Sequence, residues 1–268
     1  MGMELSGLYT YPVKSLQGVA LRQGEVDRRG LRWDRHWMLV DSNGRFVTQR
    51  QRPRMALVHV QLDNQRLRLS APGMDELELP VVSSGRDEVE ALIWNDRCMA
   101  ASSGAEAAHW LSRFLDAEVR LVYLPQDRVR SLDPRYARPE DQTGFADGFP
   151  FLLVSEASLE DLNRRMGRTL PMRRFRPNLV VSGCTPYGED RWRRIRIGAI
   201  EFRVVKPCSR CIITTVDPET GARDGHEPLR TLRGYRQRDN KVFFGQNLIH
   251  DGIGRLCLGD QVKVLEET

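Results

Sequence analysis

Lys206-Pro207-Cys208-Ser209-Arg210-Cys211-Ile212-Ile213-Thr214-Thr215-Val216-Asp217 sets two cysteines three positions apart between two β-prone runs. Ile195 to Val205 alternates in the manner of a strand. The β-branched run Ile212 to Val216 predicts a second strand directly after the cysteines. A C-x-x-C pair in that setting has several chemical readings. It could be half of a tetrahedral zinc site, but such a site needs two further ligands. No second C-x-x-C exists, and His36, His59, His109, His226 and His250 are scattered without ligand spacing. It could be a thioredoxin-like dithiol, although that motif opens a helix rather than a strand. It could supply one thiolate to a soft metal centre that carries other ligands, with Arg210 favouring the anion. Two buried structural cysteines are the plain alternative. Spacing alone leaves all four open.

Outward from this segment, the second half of the chain is strand-rich. Phe151-Leu152-Leu153-Val154 reads as a short buried strand, followed by a helix capped by Ser155, with Leu159, Leu162 and Met166 on one stripe and Gly167 as its stop. Asn178 to Val181 and Leu256 to Val264 are further strand candidates, and Asp217-Pro218-Glu219-Thr220-Gly221 is a turn. In the first half, Trp37 to Val40 and Arg45 to Thr48 flank a turn at Asn43-Gly44. Val58, Val60 and Leu62 alternate with polar residues, and Leu67 and Leu69 resume after Asp63-Asn64-Gln65. Ser103 followed by Glu106 predicts a capping box for a helix with Ala107, Leu111, Phe114 and Leu115 on one face. Val119 to Tyr123 is another strand. The aperiodic, Arg- and Pro-bearing stretch from Pro125 to Thr143 reads as a loop. The boundary is placed near 124, giving units 1–124 and 125–268. The fold class is α+β: two domains of mostly antiparallel, barrel-like sheets with a few short helices.

Composition narrows the function classes. With 41 basic and 36 acidic residues the net charge is +5, which suits anionic ligands but is too small to argue for nucleic acid. The Arg-rich stretches (Arg173, Arg174, Arg176; Arg191, Arg193, Arg194) lack the aromatic stacking pattern of nucleic-acid modules. The opening Met1-Gly2-Met3-Glu4-Leu5 is not of signal type, and no apolar run approaches a membrane span. Five irregularly spaced cysteines (Cys98, Cys184, Cys208, Cys211, Cys257) argue against a disulfide framework and for a reducing cytoplasm. There is no GxxxxGK[ST] loop and no GxGxxG fingerprint.

Seven motifs in order extend along most of the chain: Tyr11-Pro12-Val13-Lys14-Ser15; Gly30-Leu31-Arg32-Trp33-Asp34-Arg35; Val47-Thr48-Gln49-Arg50; Ser155-Glu156-Ala157-Ser158-Leu159; Arg176-Pro177-Asn178; Cys208 to Asp217; and Phe244-Gly245-Gln246-Asn247. In these the chain resembles the MOSC family, specifically its two-domain branch containing the mitochondrial amidoxime-reducing component and bacterial relatives. The resemblance implies a MOSC N-terminal β-barrel-like domain over 1–124 and a MOSC domain over 125–268. It further implies a molybdenum–molybdopterin cofactor, a pterin dithiolene ending in a phosphate, with molybdenum bound by Cys211 and not by Cys208.

Carried over, the family pattern makes Lys14, Ser15 and Arg35 phosphate partners, which suits a lysine, a hydroxyl and a guanidinium. It gives Arg176 and Asn178 to the pterin edge, and Ser209 and Arg210 to the cofactor beside Cys211. Asp147 matches an acidic family position near the metal, and the resemblance makes it catalytic with Cys211, although the residues after it depart from the family's hydroxyl-bearing pattern. Ser102 and Ser103, at the expected start of a helix, fall where the family has a cofactor-contacting segment of different residue types; free N–H groups there would suit an anion. The implied activity is reduction of small N-hydroxylated or related oxidised-nitrogen compounds, the cofactor carrying the hard step. Electrons are expected from a separate electron-transfer protein and its reductase, because the iron–sulfur cysteine set of some bacterial relatives is absent from this sequence. The competing reading is a sulfur-carrier or cofactor-delivery protein that uses Cys211.

Overall fold

The computed structural model describes residues 2–81 and 87–268; Met1, the first residue of the opening read for targeting, lies outside them. Among the described residues the chain forms one nine-stranded sheet, three smaller sheets and three α-helices, the α+β class expected. The helices are α1 (Ala105–Leu115), α2 (Glu156–Met166) and α3 (Leu229–Arg236). Among the described residues no helix is long and apolar enough to cross a membrane.

The large sheet runs in the order Val262–Glu267, Trp192–Ile197, Ile200–Arg210, Lys241–His250, Phe151–Ser155, Leu179–Ser182, Glu4–Thr10, Val19–Ala20, and its ninth strand, Gln237–Arg238, pairs with Lys241–His250 off this path. Phe151–Ser155 and Leu179–Ser182 pair in parallel, and the other ladders are antiparallel. A parallel pair needs a crossover, which α2 supplies. Ser155 caps α2 by accepting from Ser158 N, and Gly167 ends it at φ 63°, both as the sequence indicates.

The core follows the sheets. One cluster, from Val13 and Trp37 to Leu121 and Tyr123, is built within the first half and buries the Trp110, Leu111 and Phe114 face of α1. A second packs Phe151, Leu179, Ile195 and Phe202 of the second half against Leu5, Leu8, Val26 and Leu31. The first 31 residues therefore contribute apolar surface and a sheet strand to the C-terminal half.

Several local expectations are corrected. Ile212 to Val216 is not a strand: Ile212–Thr215 is a 3-10 turn. The β-branched preference is overridden because Thr214 Oγ1 and Thr215 Oγ1 donate back to the carbonyls of Cys211 and Ile212 at 3.0 and 2.8 Å. Ser103 is not the cap of α1. That place is taken by Gly104 at φ 99°, a conformation glycine adopts without steric cost, while Ser103 N is tied to Leu121 O. Ile195 to Val205 is a hairpin rather than one strand, because Gly198 turns the chain at φ 56° between Ile197 and Ile200. Leu256 to Val264 divides between Gly254–Cys257 and Val262–Glu267, which lie in different sheets. Arg45 to Thr48 forms only isolated bridges, through Arg45 and Phe46. The strand Lys241–His250 and helix α3 are further elements, α3 presenting Leu229, Leu232 and Tyr235 at helical spacing.

The loop from 125 to 150 closes onto the first half. Phe145 N donates to Arg35 O at 2.6 Å, and Gly144 lies flat against the turn that carries Arg35. A Cβ at 144 would stand 2.6 Å from Arg35 O and 2.9 Å from Asp34 O, backbone atoms that cannot swing aside. Gly144→Ala should therefore lower unfolding free energy by roughly 1–3 kcal/mol, the usual cost of overpacking. Chemical denaturation of the purified variant checks this; an unchanged midpoint would show that the two loops are not pressed together.

Candidate functional site

A cleft of about 460 Å³ opens where the N-terminal loops meet the end of strand Ile200–Arg210. Its walls bring together Lys14, Ser15, Arg35, Asp147, Arg176, Asn178, Ser209, Arg210 and Cys211 from segments remote in sequence. Ser102 and Ser103 do not line it. Ser102 Oγ accepts from Gly104 N, and Ser103 Oγ is buried with no hydrogen-bond partner.

Cys211 lies immediately beyond strand Ile200–Arg210, whose ladder with Lys241–His250 slips twice, between Val204 and Lys206 and between Pro207 and Ser209. Such bulges bend a strand and re-aim its side chains. Cys211 then starts the 3-10 turn, half-buried at the cleft wall. Arg210 Nη1 donates to Cys208 Sγ at 3.0 Å and Nη2 to Phe175 O at 2.5 Å, so its guanidinium attends the first cysteine rather than the second. All five cysteines are free, and no group of three His, Cys, Asp or Glu side chains among the described residues could hold a metal alone. Cys208 and Cys211 therefore lack the partners that a zinc site requires.

The opposite wall is organised by a residue to which the sequence reading gave no role. Asp34, buried, accepts from Tyr11 N at 2.8 Å, Asn178 Nδ2 at 3.0 Å and Arg35 Nη1 at 2.6 Å. Burial raises its pKa, and Arg35 and these donors oppose the rise. Asn178 Oδ1 accepts from Leu152 N and Arg35 Nη1, while Nδ2 also reaches Tyr9 O. The carboxamide is thus engaged by protein at both ends. Arg35 and Arg176 each lie with their guanidinium carbon 4.3 Å from the Tyr11 ring centroid. Arg176 Nη1 donates to Leu16 O at 2.7 Å, and burial together with Arg35 lowers the Arg176 pKa to about 10. Ser15, Arg35 and Arg176 all adopt positive φ (68°, 47° and 55°), a conformation costly for residues with a Cβ that persists where surroundings enforce it. Gln49 Nε2 holds Ser15 O at 2.7 Å. Tyr11, Asp34 and Asn178 each lie in a motif quoted above, but nothing in the sequence shows that these motifs meet at Asp34.

At the mouth, Lys14 Nζ donates to Asp147 Oδ1 at 2.5 Å and Phe145 O at 2.8 Å, with Arg50 3.5 Å from the same carboxylate. Burial pushes the Lys14 pKa down to about 8, against the pull of Asp147. Desolvation by the cleft would raise the Asp147 carboxyl, but Lys14 and Arg50 outweigh it and hold the group well below the usual range. Its side chain is 53% exposed to water yet enclosed by the walls at longer range. Asp147 is therefore held in its charged form beside Lys14 and Arg50.

The lining holds six cationic side chains (Lys14, Arg35, Arg50, Arg176, Lys206, Arg210) and one carboxylate, Asp147. Arg176 Nη2 and Arg210 Nε are buried without a partner. Unpaired buried donors are costly, so this cleft suits an anionic ligand rich in acceptors. With a cysteine in the wall, the donor set fits a phosphate-bearing group that also takes a thiolate.

Comparison with known proteins accords with this geometry. The MOSC N-terminal beta barrel domain matches residues 2–118 and the MOSC domain residues 140–263. The chain belongs to the MOSC family, in the branch that carries both domains. It is 38% identical over 275 residues to mitochondrial amidoxime-reducing component 1 of Mus musculus, covering 96% of this chain and 81% of that protein. Similarity to the Homo sapiens component 1 is 38% over 276 residues, covering 96% and 82%. To the Homo sapiens component 2 it is 36% over 272 residues, covering 95% and 81%.

The lowered Lys14 pKa has a definite sign. Its folded value lies below the ordinary 10.5, so burying the ammonium destabilises the fold below about pH 8, and that cost disappears as pH rises from about 8 to 10.5. Anion affinity runs the other way, because the charge is lost as pH rises through about 8. Calorimetric titration with pyrophosphate should show affinity falling between pH 7 and 9, and Lys14→Gln should flatten the profile. An unaltered slope in the variant would remove Lys14 from the anion site.

Proposed function

We propose that the chain is a molybdenum-cofactor-dependent reductase of N-hydroxylated or related oxidised-nitrogen compounds, working in the cytoplasm with electrons from a separate carrier protein and reductase. The observation that carries the reading is the cleft itself: six cations and two orphaned guanidinium donors beside Cys211, in a chain whose relatives are named for amidoxime reduction. Free cysteines are consistent with a reducing compartment. The division into 1–124 and 125–268 falls between the two matched segments.

When bound, the molybdenum–molybdopterin cofactor supplies two-electron reduction of an N–O bond. The chain's own residues hold and polarise the site. Cys211 is the thiolate ligand. Lys14, Ser15 and Arg35 receive the terminal phosphate, and Arg176 offers its unpaired Nη2 to an acceptor on the pterin. Asn178 acts through Arg35 and Asp34, fixing their geometry rather than spending its own amide on the ligand. Arg210, anchored to Phe175 O, presents Nε beside Ser209. Asp147 positions Lys14 and offsets its charge.

Two variants test the cysteine assignment. Cys211→Ala should abolish reduction of benzamidoxime by chemically reduced protein and release the metal, measured by elemental analysis. Cys208→Ala should keep metal and most activity, losing only the Arg210 contact. Equal loss in both would point to a dithiol. Labile sulfur on Cys211 without turnover would favour the carrier alternative.

A further inference from the structure

The apolar side of the cleft mouth is dominated by a residue in an unfavourable backbone setting. Strands Glu88–Ile93 and Asp96–Ser102 form a hairpin in which Ile93 pairs with Asp96, leaving Trp94 and Asn95 as a two-residue turn. Trp94 has φ 55°, while Asn95 is not in the left-handed region. A turn with positive φ at its first central position ordinarily takes glycine there, so a bulky aromatic residue is a poor choice for the turn. Nor does the fold core require it, since Trp94 is 47% exposed. An exposed large aromatic in a strained conformation, placed at the lip of a cleft, calls for a functional account.

Its surroundings supply one. The indole is close enough to Asp147, the carboxylate that pairs with Lys14, to help hold that carboxyl in its charged form. The Arg50 guanidinium carbon lies 4.7 Å from the ring centroid, and Phe46 meets the ring edge-on at 5.1 Å. The Arg50 and Phe46 contacts thus hold the indole plane while leaving about half of the residue open. Phe149 and Ile213 also line the cleft, so apolar side chains share its wall with the cations. A flat ring at the cleft mouth gains stacking area from a side chain already held in place, and pays little ordering entropy.

We propose that Trp94 is a specificity-determining residue: it selects N-hydroxylated substrates whose reacting group is attached to a planar aromatic ring over small aliphatic ones. The N-hydroxy half of this inference rests on the reductase reading, whereas the aromatic half does not.

The test uses the holoenzyme and two variants, Trp94→Gly and Trp94→Phe. Turnover of benzamidoxime and acetamidoxime gives a ratio of kcat/KM values. That ratio should fall about tenfold in Trp94→Gly, the scale of one lost aromatic stacking contact, and largely recover in Trp94→Phe. Neutral benzamide, which has no N–O bond to reduce, should quench the tryptophan fluorescence of the parent, and the quench should vanish in Trp94→Gly. The Tm of Trp94→Gly should equal or exceed that of the parent, because glycine relieves the turn. An unchanged substrate ratio overturns the proposal. So does equal loss on both substrates with a lowered Tm, which is the mark of a structural residue. If the parent reduces neither compound, the reductase reading fails, and the benzamide quench still decides whether Trp94 receives an aromatic ring: no quench, or one that survives in Trp94→Gly, overturns it.

Discussion

One buried carboxylate conditions everything around the cleft. Asp34 accepts hydrogen bonds from the Tyr11 backbone, from Arg35 and from Asn178, groups contributed by three separate motifs. A charge taken out of water is tolerable only with such compensation, and removing one partner would leave the others exposed to the full desolvation cost. Because Asn178 also fastens Leu152 N and Tyr9 O, the same node pins the N-terminal strand to the second-half sheet. Arg35 and Arg176 can then share the Tyr11 ring at 4.3 Å despite their like charges. The cationic wall is held by this arrangement more than by any single arginine.

The cleft divides its labour by polarity. Its interior concentrates cations and unpaired donors, a pattern that costs stability without a ligand and is recovered on binding an acceptor-rich anion. Local strain accompanies it: Ser15, Arg35 and Arg176 all hold positive φ, and each sits in a motif recognisable from the sequence. Backbone conformations of this kind aim a side chain where ordinary secondary structure would not.

The strand content, the α2 cap and stop, the 125–143 loop and the family were legible in the sequence because each rests on local chemistry: a period, a Ser or Gly at a helix end, a run of motifs. The failures share a cause. Ile212 to Val216 reads as a strand by propensity, but hydroxyl-to-carbonyl bonds from Thr214 and Thr215 wind it into a turn, and no propensity scale contains that competition. Gly198 was passed over inside an apolar alternation, so one strand was expected where a hairpin stands. Nine of the site residues expected from motifs meet in one cleft, whereas Ser102 and Ser103 lie elsewhere. Asp34 and Trp94 were invisible as site residues because their importance is relational. The first matters through Tyr11 and Asn178, distant along the chain, as well as its neighbour Arg35, the second through a backbone angle.

The N-terminal strand has a consequence for how the molecule is made. Glu4–Thr10 is synthesised long before its neighbour in the large sheet, Leu179–Ser182; Ser6 Oγ and Val180 O, which share a hydrogen bond, are 174 residues apart. Until that neighbour emerges, the strand presents unpaired N–H and C=O groups and the apolar side chains of Leu5 and Leu8. The first-half core can condense meanwhile around Trp37 and Leu121. Closure of such distant contacts is slow. Biosynthesis thus passes through a stage in which the first-half core can form while this strand, held only at its end by Val19–Ala20, still leaves one edge bare.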